Sequence, residues 1–443
     1  MLEHELNINS GQNLWKRAKN IIPGGNMLLS KRPEMFLPEN WPAYFSKSKG
    51  CEVWDLDGNK YIDMSIMGIG TNTLGYGHPE VDDAVIRAVR DGNMSTFNCP
   101  EEVSLAEKLI DIHPWADMAR FARSGGEINS IAVRIARAYT GRDKIAICGY
   151  HGWHDWYLST NLNNDKNLDG HLLPGLLADG IPRALVGTTL PFNYNDIDEL
   201  ENLIKDNKDE IAAIKMEVSR NEGPKGDYLQ KVRDLATENN IILIFDECTS
   251  GFRETFGGLH KKFNVEPDIA VFAKAIGNGY AISACIGRKK IMQAAQKTFI
   301  SSTFWTERIG SVAALKTLEV MERIRSWEKI TNIGKDVGKK WKALANKYNL
   351  EIKVSGLPAV QSYSFCSKDN LKYKTLITQE MLKKGFLSTP LLFSCIEHND
   401  EVIKSYMNAL DDCFALVREC EDGKSIDKIL EGPVCHSGFK RLN

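Results

Sequence analysis

The middle of this chain alternates short, almost unbroken apolar runs with amphipathic stretches of helical period, and that alternation leaves few folds open. ARFA (119–122), KIAICGY (144–150), AAIKMEV (212–218), IILIFD (241–246), DIAVFA (268–273) and SACIG (283–287) are too short for helices. They are also too continuously apolar for strands with one wet face. Between the first two, residues 127–141 place Ile128, Ile131, Ala132 and Ile135 at i, i+3, i+4 and i+7, and Gly141 supplies a left-handed stop. Strands buried on both faces and separated by helices predict an α/β protein with a mainly parallel sheet covered on each side. With 443 residues, 43% of them hydrophobic, the chain can bury a large core and divide into two domains.

The two ends read differently. Residues 51–63 alternate around Asp57-Gly58, which predicts a β-hairpin. From about 316 the chain is Lys-rich amphipathic helix, then the short strands EIKVSG and VQSYSF, then helix again. The expected layout is an N-terminal segment (1–63) that forms part of a small domain, a large domain (64–315) and a C-terminal part of the small α+β domain (316–443).

Bulk properties exclude some partners. A formal net charge of −2 gives no general attraction for nucleic acid or an anionic membrane. The first residues, MLEHELNINS, contain no apolar signal core, and no stretch reaches the roughly 18 apolar residues of a membrane span. Ten cysteines without C-x-x-C or disulfide-like spacing fit a reducing cytoplasm.

Two residues carry chemistry. Lys274 ends the apolar run in PDIAVFAKAIGNGYAISACIGR and enters a Gly-rich turn, a place from which its amine can form a Schiff base with a cofactor aldehyde. A strand-ending lysine is also an ordinary solvated cap. Asp246, at the carboxyl end of IILIFD, changes the balance. Pyridoxal 5′-phosphate (PLP) chemistry requires a lysine for the aldehyde carbon and a carboxylate for the pyridine nitrogen. Gly277-Asn278-Gly279 is not a dinucleotide loop: it lacks a third spaced glycine and leads into a strand. His151 and His154 are spaced H-x-x-H, but no third ligand accompanies them, so no metal site is predicted.

Several motifs, in order along nearly the whole chain, resemble the class III aminotransferases of PLP fold type I, with the glutamate-1-semialdehyde aminomutase branch most similar. They are IPGG (22–25), EVWDLDGNKYID (52–63), LGYGHPEV (74–81), SGGEINSIAVRIARAYTGRDKI (124–145), YHG (150–152), DECTSGFR (246–253) and the lysine segment. The resemblance implies a seven-stranded, mainly parallel sheet in the large domain and PLP as cofactor. It also implies a homodimer with active sites shared between subunits.

It further assigns site residues. Ser124-Gly125-Gly126, between a strand and a helix N-terminus, would hold the cofactor phosphate, because glycine lets the backbone approach an anion and the helix end offers free N–H groups. Taken alone, the tripeptide also fits an ordinary strand–helix turn. The family usually has Thr or Ser at the third position. Gly126 lacks that hydroxyl, so a backbone N–H must suffice or another residue must contribute. Tyr150, beside His151, matches the aromatic that stacks on the ring. Cys248 takes the place of the small residue, commonly Val, on the opposite face; its other role would be a reactive thiol. Glu217 matches a strand-end glutamate near the site, and Ser302 and Thr303 match a segment whose Thr reaches the phosphate of the other subunit.

The implied activity is transfer of an amino group from a small-molecule donor, glutamate by family default, to a carbonyl acceptor. The alternative is an aminomutase, which moves the group within one molecule. Residues 159–180 start with a more polar sequence than the aminomutase gating loop. SSTFWTERIG (301–310) also departs from the smaller family form and puts Trp305 and Arg308 near the site. Both departures favour transfer between two molecules.

Overall fold

The computed structural model describes residues 9–171, 174–219, 221–440 and 442. It divides into two compact units, residues 79–328, and the residues up to 78 together with those from 329 onward. The sequence-based divisions at 64 and 315 lie inside these units. The helix Arg308–Ile324, for example, belongs wholly to the larger one and packs there on the helices Pro79–Asp91 and Pro100–Ile112.

In the larger unit the apolar runs form one seven-stranded sheet. Its strands are β1 (Met118–Ala122), β2 (Lys144–Cys148), β3 (Thr189–Pro191), β4 (Ile211–Glu217), β5 (Ile242–Asp246), β6 (Ile269–Phe272) and β7 (Ser283–Gly287), in the order β1-β7-β6-β5-β4-β2-β3. β3, β2, β4, β5 and β6 are mutually parallel, and β7 runs antiparallel to both β1 and β6. Every residue of β4, β5, β6 and β7 is buried, which is why these strands read as continuous rather than alternating.

The helices flanking the sheet include α1 (Pro79–Asp91), α2 (Pro100–Ile112), α3 (Gly125–Thr140), α4 (Ile197–Asp206), α5 (Tyr228–Glu238) and α6 (Arg308–Ile324). α3 is the helix read from the sequence, but it starts two residues earlier, at Gly125. The cause is a reciprocal cap: Ser124 Oγ accepts the Glu127 N–H, and the Glu127 carboxylate accepts the Ser124 N–H. At the other end Gly141 is left-handed, with φ 70°, and its N–H bonds to the Arg137 carbonyl. α3 lays Ile128, Ile131, Ala132 and Ile135 on Ile145, Ile147, Ala213, Ile244 and Val271 of the sheet.

The smaller unit contains the predicted hairpin: Glu52–Asp55 pairs antiparallel with Lys60–Met64, turning at Gly58 with φ 84°. Phe45–Lys49 and Phe386–Ser388 complete a four-stranded sheet, and Ile352–Leu357, Val360–Phe365 and Leu391–Phe393 form a second one. No helix of the described residues is long and apolar enough to cross a membrane.

Candidate active site

Parallel strands open their carboxyl ends along one edge of a sheet, and ligands of open α/β folds collect there. Asp246 ends β5, paired with Glu217 at the end of β4 and Val271 in β6, and Lys274 follows β6 by two residues. Lys274 holds a left-handed backbone, φ 51°, a conformation that costs a non-glycine residue about 1–3 kcal/mol. Its Nζ donates to Thr249 Oγ1 at 2.7 Å.

Asp246 is buried and well supplied with partners. Oδ2 lies 2.8 Å from His151 Nδ1 and 4.0 Å from Lys215 Nζ, and Oδ1 accepts the Cys248 N–H at 3.0 Å. Burial by itself pushes the Asp246 carboxyl up. The Lys215 charge, the His151 hydrogen bond and charge, and the Cys248 N–H overcome it and hold the group well below the usual carboxylate range. Asp246 is therefore a fixed anion. Burial raises the Cys248 thiol far above its ordinary value, Asp246 adds to that, and the Lys274 charge opposes it. Cys248 thus lies within electrostatic reach of both residues and is a packed, unreactive thiol.

The second cluster lies at the start of α3. Ser124 spends its hydroxyl and N–H on Glu127, so the first-turn N–H groups of Gly125 and Gly126, which have no carbonyl in their own helix, are left to face an anion. A Cβ on Gly125 would lie 3.7 Å from Cys248 Sγ, so this turn approaches the Asp246 loop. A Cβ on Gly126 would come within 2.9 Å of His154 Cε1, and one on Gly152 within 2.9 Å of Gly126 Cα. The imidazole of His154 thus stands where a Thr or Ser side chain would project. His151 and His154, paired in the sequence by spacing, serve separate places: one holds Asp246 and the other packs on Gly126.

Tyr150 sits beside this cluster. Its N–H donates to Glu217 Oε2 at 3.2 Å, and its ring meets Tyr157 edge to face at 6.0 Å. Burial pushes its phenol up, with the charge of Asp246 next, then Cys248 and Glu217. Gly149 has no room for a side chain, since a Cβ would reach 2.5 Å from Glu217 Oε2. Ser302 and Thr303 do not join these groups within the chain: both are exposed. Their turn is nevertheless tied to α3. Trp305 Nε1 donates to Glu127 Oε1 at 3.1 Å, and Arg123 donates to the Trp305 and Glu307 carbonyls. Arg308 is committed to an ion pair with Glu101 at 2.7 Å.

Three residues of this region escaped the sequence reading: Thr249, His154 as a neighbour of Gly126, and Lys215. Thr249 had a signal, three positions after Asp246 in DECTS. The other two become visible only when distant segments meet.

The donor set suits PLP. A buried carboxylate accepts the Cys248 N–H, an amine is held by Thr249 of the same loop, a glycine turn at a helix N-terminus comes close to Cys248, and at glycines 126, 149 and 152 a Cβ would come within 3.0 Å of a neighbouring atom. The family described as aminotransferase class-III matches residues 38–397. The chain belongs to the class-III aminotransferases. PLP is accordingly the cofactor of this aminotransferase. Among curated relatives it is 34% identical over 432 residues to the 3-aminobutyryl-CoA aminotransferase of Cloacimonas acidaminovorans, covering 94% of this chain and all of that one. It is 32% identical over 436 residues to the glutamate-1-semialdehyde 2,1-aminomutase of Methanocaldococcus jannaschii, covering 92% and 99%. Among solved structures, the PLP internal aldimine form of the FumI protein of Sphingopyxis sp. MTA144 superposes with a TM-score of 0.85 at 26% identity, over 95% of this chain and 99% of that one. An omega-transaminase from Sphaerobacter thermophilus shares the fold, with a TM-score of 0.81 at 23% identity over 92% and 97%.

Proposed function

We propose that this aminotransferase passes an amino group from a small-molecule donor, glutamate being the first to try, to a separate small aldehyde or keto acceptor, using Lys274 and Asp246. The observation that carries the proposal is the buried Asp246 anion at the carboxyl end of β5 and the Lys274 amine just beyond β6, its parallel neighbour, where Thr249 of the Asp246 loop holds that amine. PLP bound there supplies the aldehyde that carries the amino group and the ring that accepts the electrons released at the donor carbon. Lys274 Nζ anchors the cofactor's aldehyde carbon. Once freed, the amine would move a proton from the donor carbon to the cofactor's former aldehyde carbon, acting first as base and then as acid. Thr249 Oγ1 aims that amine while it waits. With PLP in place, Asp246 would accept a hydrogen bond from the protonated ring nitrogen and stabilise its charge. The N–H groups of Gly125 and Gly126 would hold the phosphate, and Tyr150 and Cys248 would pack against the ring. Glu217 fixes the backbone of Tyr150.

The proposal extends to a homodimer in which Ser302 and Thr303 complete the partner's phosphate site, and to a cytoplasmic setting. The first is supported by the exposure of both residues, the second by ten free cysteines. The similarity to glutamate-1-semialdehyde 2,1-aminomutases favours one second reading, transfer within a single molecule.

The experiment uses purified protein, a panel of donors that includes glutamate and 3-aminobutyryl-CoA, and separate carbonyl acceptors. The protein should be yellow and change colour with a donor, and ¹⁵N from a labelled donor should appear in the acceptor. Label retained wholly within one substrate molecule would select the mutase. Lys274→Ala should abolish turnover and leave cofactor bound without a borohydride-reducible link. A reducible link in that variant would show that another lysine does this work.

A further inference from the structure

Lys215 is a costly side chain of the larger unit, and neither the family resemblance nor the reaction above uses it. It lies in β4, whose every residue is buried, with its side chain fully excluded from solvent. Its register neighbours are Ile147 in β2 and Ile244 in β5, so it replaces an aliphatic residue in the layer beneath α3. Nζ makes no hydrogen bond to any described residue. Among the described residues its one close anion is Asp246, at 4.0 Å. An ammonium placed among isoleucines with a single ion partner costs free energy that an apolar residue would not.

We propose that Lys215 is a positioning residue: it serves as Asp246's counter-cation while the ring site is empty and gives up its proton when a protonated ring nitrogen takes that place. The inference rests on the ring-nitrogen role proposed for Asp246.

Around the carboxylate the positions are few. Cys248 N–H occupies Oδ1, and His151 occupies Oδ2. A ring cation arriving in this dry site would add to the charges of Lys215 and His151 already beside Asp246, and like charges at such range cannot all persist cheaply. Lys215 is the one prepared to yield, because His151 is tied to the carboxylate by a hydrogen bond at 2.8 Å whereas Lys215 Nζ stands 4.0 Å away without one. Burial already weakens its hold on a proton, and Asp246 is the chief group restoring it, with Cys248, Cys285 and Glu217 adding smaller contributions. Once Asp246 is neutralised by the ring, that restoring attraction is largely gone. The proton balance is simple. Lys215 passes from ammonium to amine, and its proton goes to solvent if the ring nitrogen arrives protonated, or to that nitrogen if it arrives neutral. In both cases the loaded protein carries one proton fewer than it would with a fixed charge at 215.

The test strips the protein of cofactor and titrates it with pyridoxal 5′-phosphate in calorimetry buffers of different ionisation enthalpy. Changes at Lys274 are common to wild type and Lys215→Met, so their difference isolates residue 215. Wild type should release about one proton more than Lys215→Met, by linkage between binding and protonation. Equal proton release with both proteins saturated would overturn the proposal. Failure of wild type to bind the cofactor would instead sink the function proposed above. If Lys215→Met does not fold, Lys215→Gln substitutes for it. Wild type alone also decides the matter. With lysine labelled at ¹³Cε, a second resonance besides that of Lys274 should move from the ammonium to the amine position on loading at constant pH, and its absence overturns the proposal.

Discussion

Asp246 meets His151, Lys215 and the Cys248 N–H within one carboxylate's reach, so a change of a single atom there is informative. Asp246→Asn keeps the shape and loses the charge. An amide cannot hold a ring cation, so single-turnover proton transfer should slow by several factors of ten, each worth about 1.4 kcal/mol of transition-state stabilisation. Cofactor affinity should fall much less. A near-normal rate would remove Asp246 from the mechanism. Gly126 offers a second residue-scale prediction, because a Cβ there would lie 2.9 Å from His154. Gly126→Thr should destabilise the protein by about 1–3 kcal/mol through overpacking. Adding His154→Ala should relieve that strain and restore a hydroxyl at the helix start. Denaturant midpoints of the two variants check this: equal losses in the single and the double variant would mean that His154 is not what excludes a side chain at 126. Lys274 and Asp246 were legible in the sequence because each ends an apolar run. Lys215 was hidden in AAIKMEV, where burial of a whole strand made the lysine look like an interruption rather than a buried charge.

The strands of the large sheet were legible for a physical reason: burial on both faces removes the alternation that would blur their limits. Their directions were not, since β7 is as apolar as its parallel neighbours yet runs antiparallel to both. β3 is only three residues long and ends in proline, too short to stand out from the turns around it. The start of α3 was misplaced by two residues, because two glycines disguise a first turn that the Ser124–Glu127 cap holds helical. At the C-terminal end of α2 the packing fixes a protonation state. His113 is buried, with Nδ1 2.8 Å from the Leu109 carbonyl and Nε2 accepting the Gly258 N–H at 2.9 Å. Burial lowers its pKa from 6.5 to about 3, although the Leu109 carbonyl opposes the shift. Between these values the unfolded chain binds a proton that the folded chain refuses, so stability is lost as the pH falls from 6.5 toward 3. One such group contributes a slope of about 1.4 kcal/mol per pH unit. His113→Gln retains one donor and one acceptor but does not titrate. Its stability should fall less steeply over roughly pH 4 to 6, as read from urea midpoints. Parallel profiles for wild type and variant would take His113 out of the acid response.

At the scale of the molecule, the proposed dimer explains two surface features that a lone chain does not. Phe97, Phe299 and Phe304 are 87%, 82% and 69% exposed, and large apolar side chains are seldom so bare on a surface that stays in water. Ser302 and Thr303, assigned to a phosphate by resemblance, stand exposed in the same segment as Phe299 and Phe304. In a two-fold dimer each contact occurs twice, so one interface would cover these rings and complete two sites at once. Exchange between subunits tests this. Lys274→Ala disables the site in its own subunit, while Thr303→Ala disables the site in its partner. A hybrid of the two therefore has one site with both lesions and one with neither. Random exchange of equal amounts makes half the dimers hybrid, so activity should recover to about a quarter of wild type, given the pairing statistics of a two-fold dimer. The assay should run at limiting cofactor, where loss of a phosphate contact weighs most and the Thr303→Ala parent is least active. If the hydroxyl of Thr303 merely caps the turn that follows, no wild-type site forms in the hybrid and the mixture gives only the mean of its parents. That outcome after demonstrated exchange, or full activity in a sedimenting monomer, would leave the shared site without support.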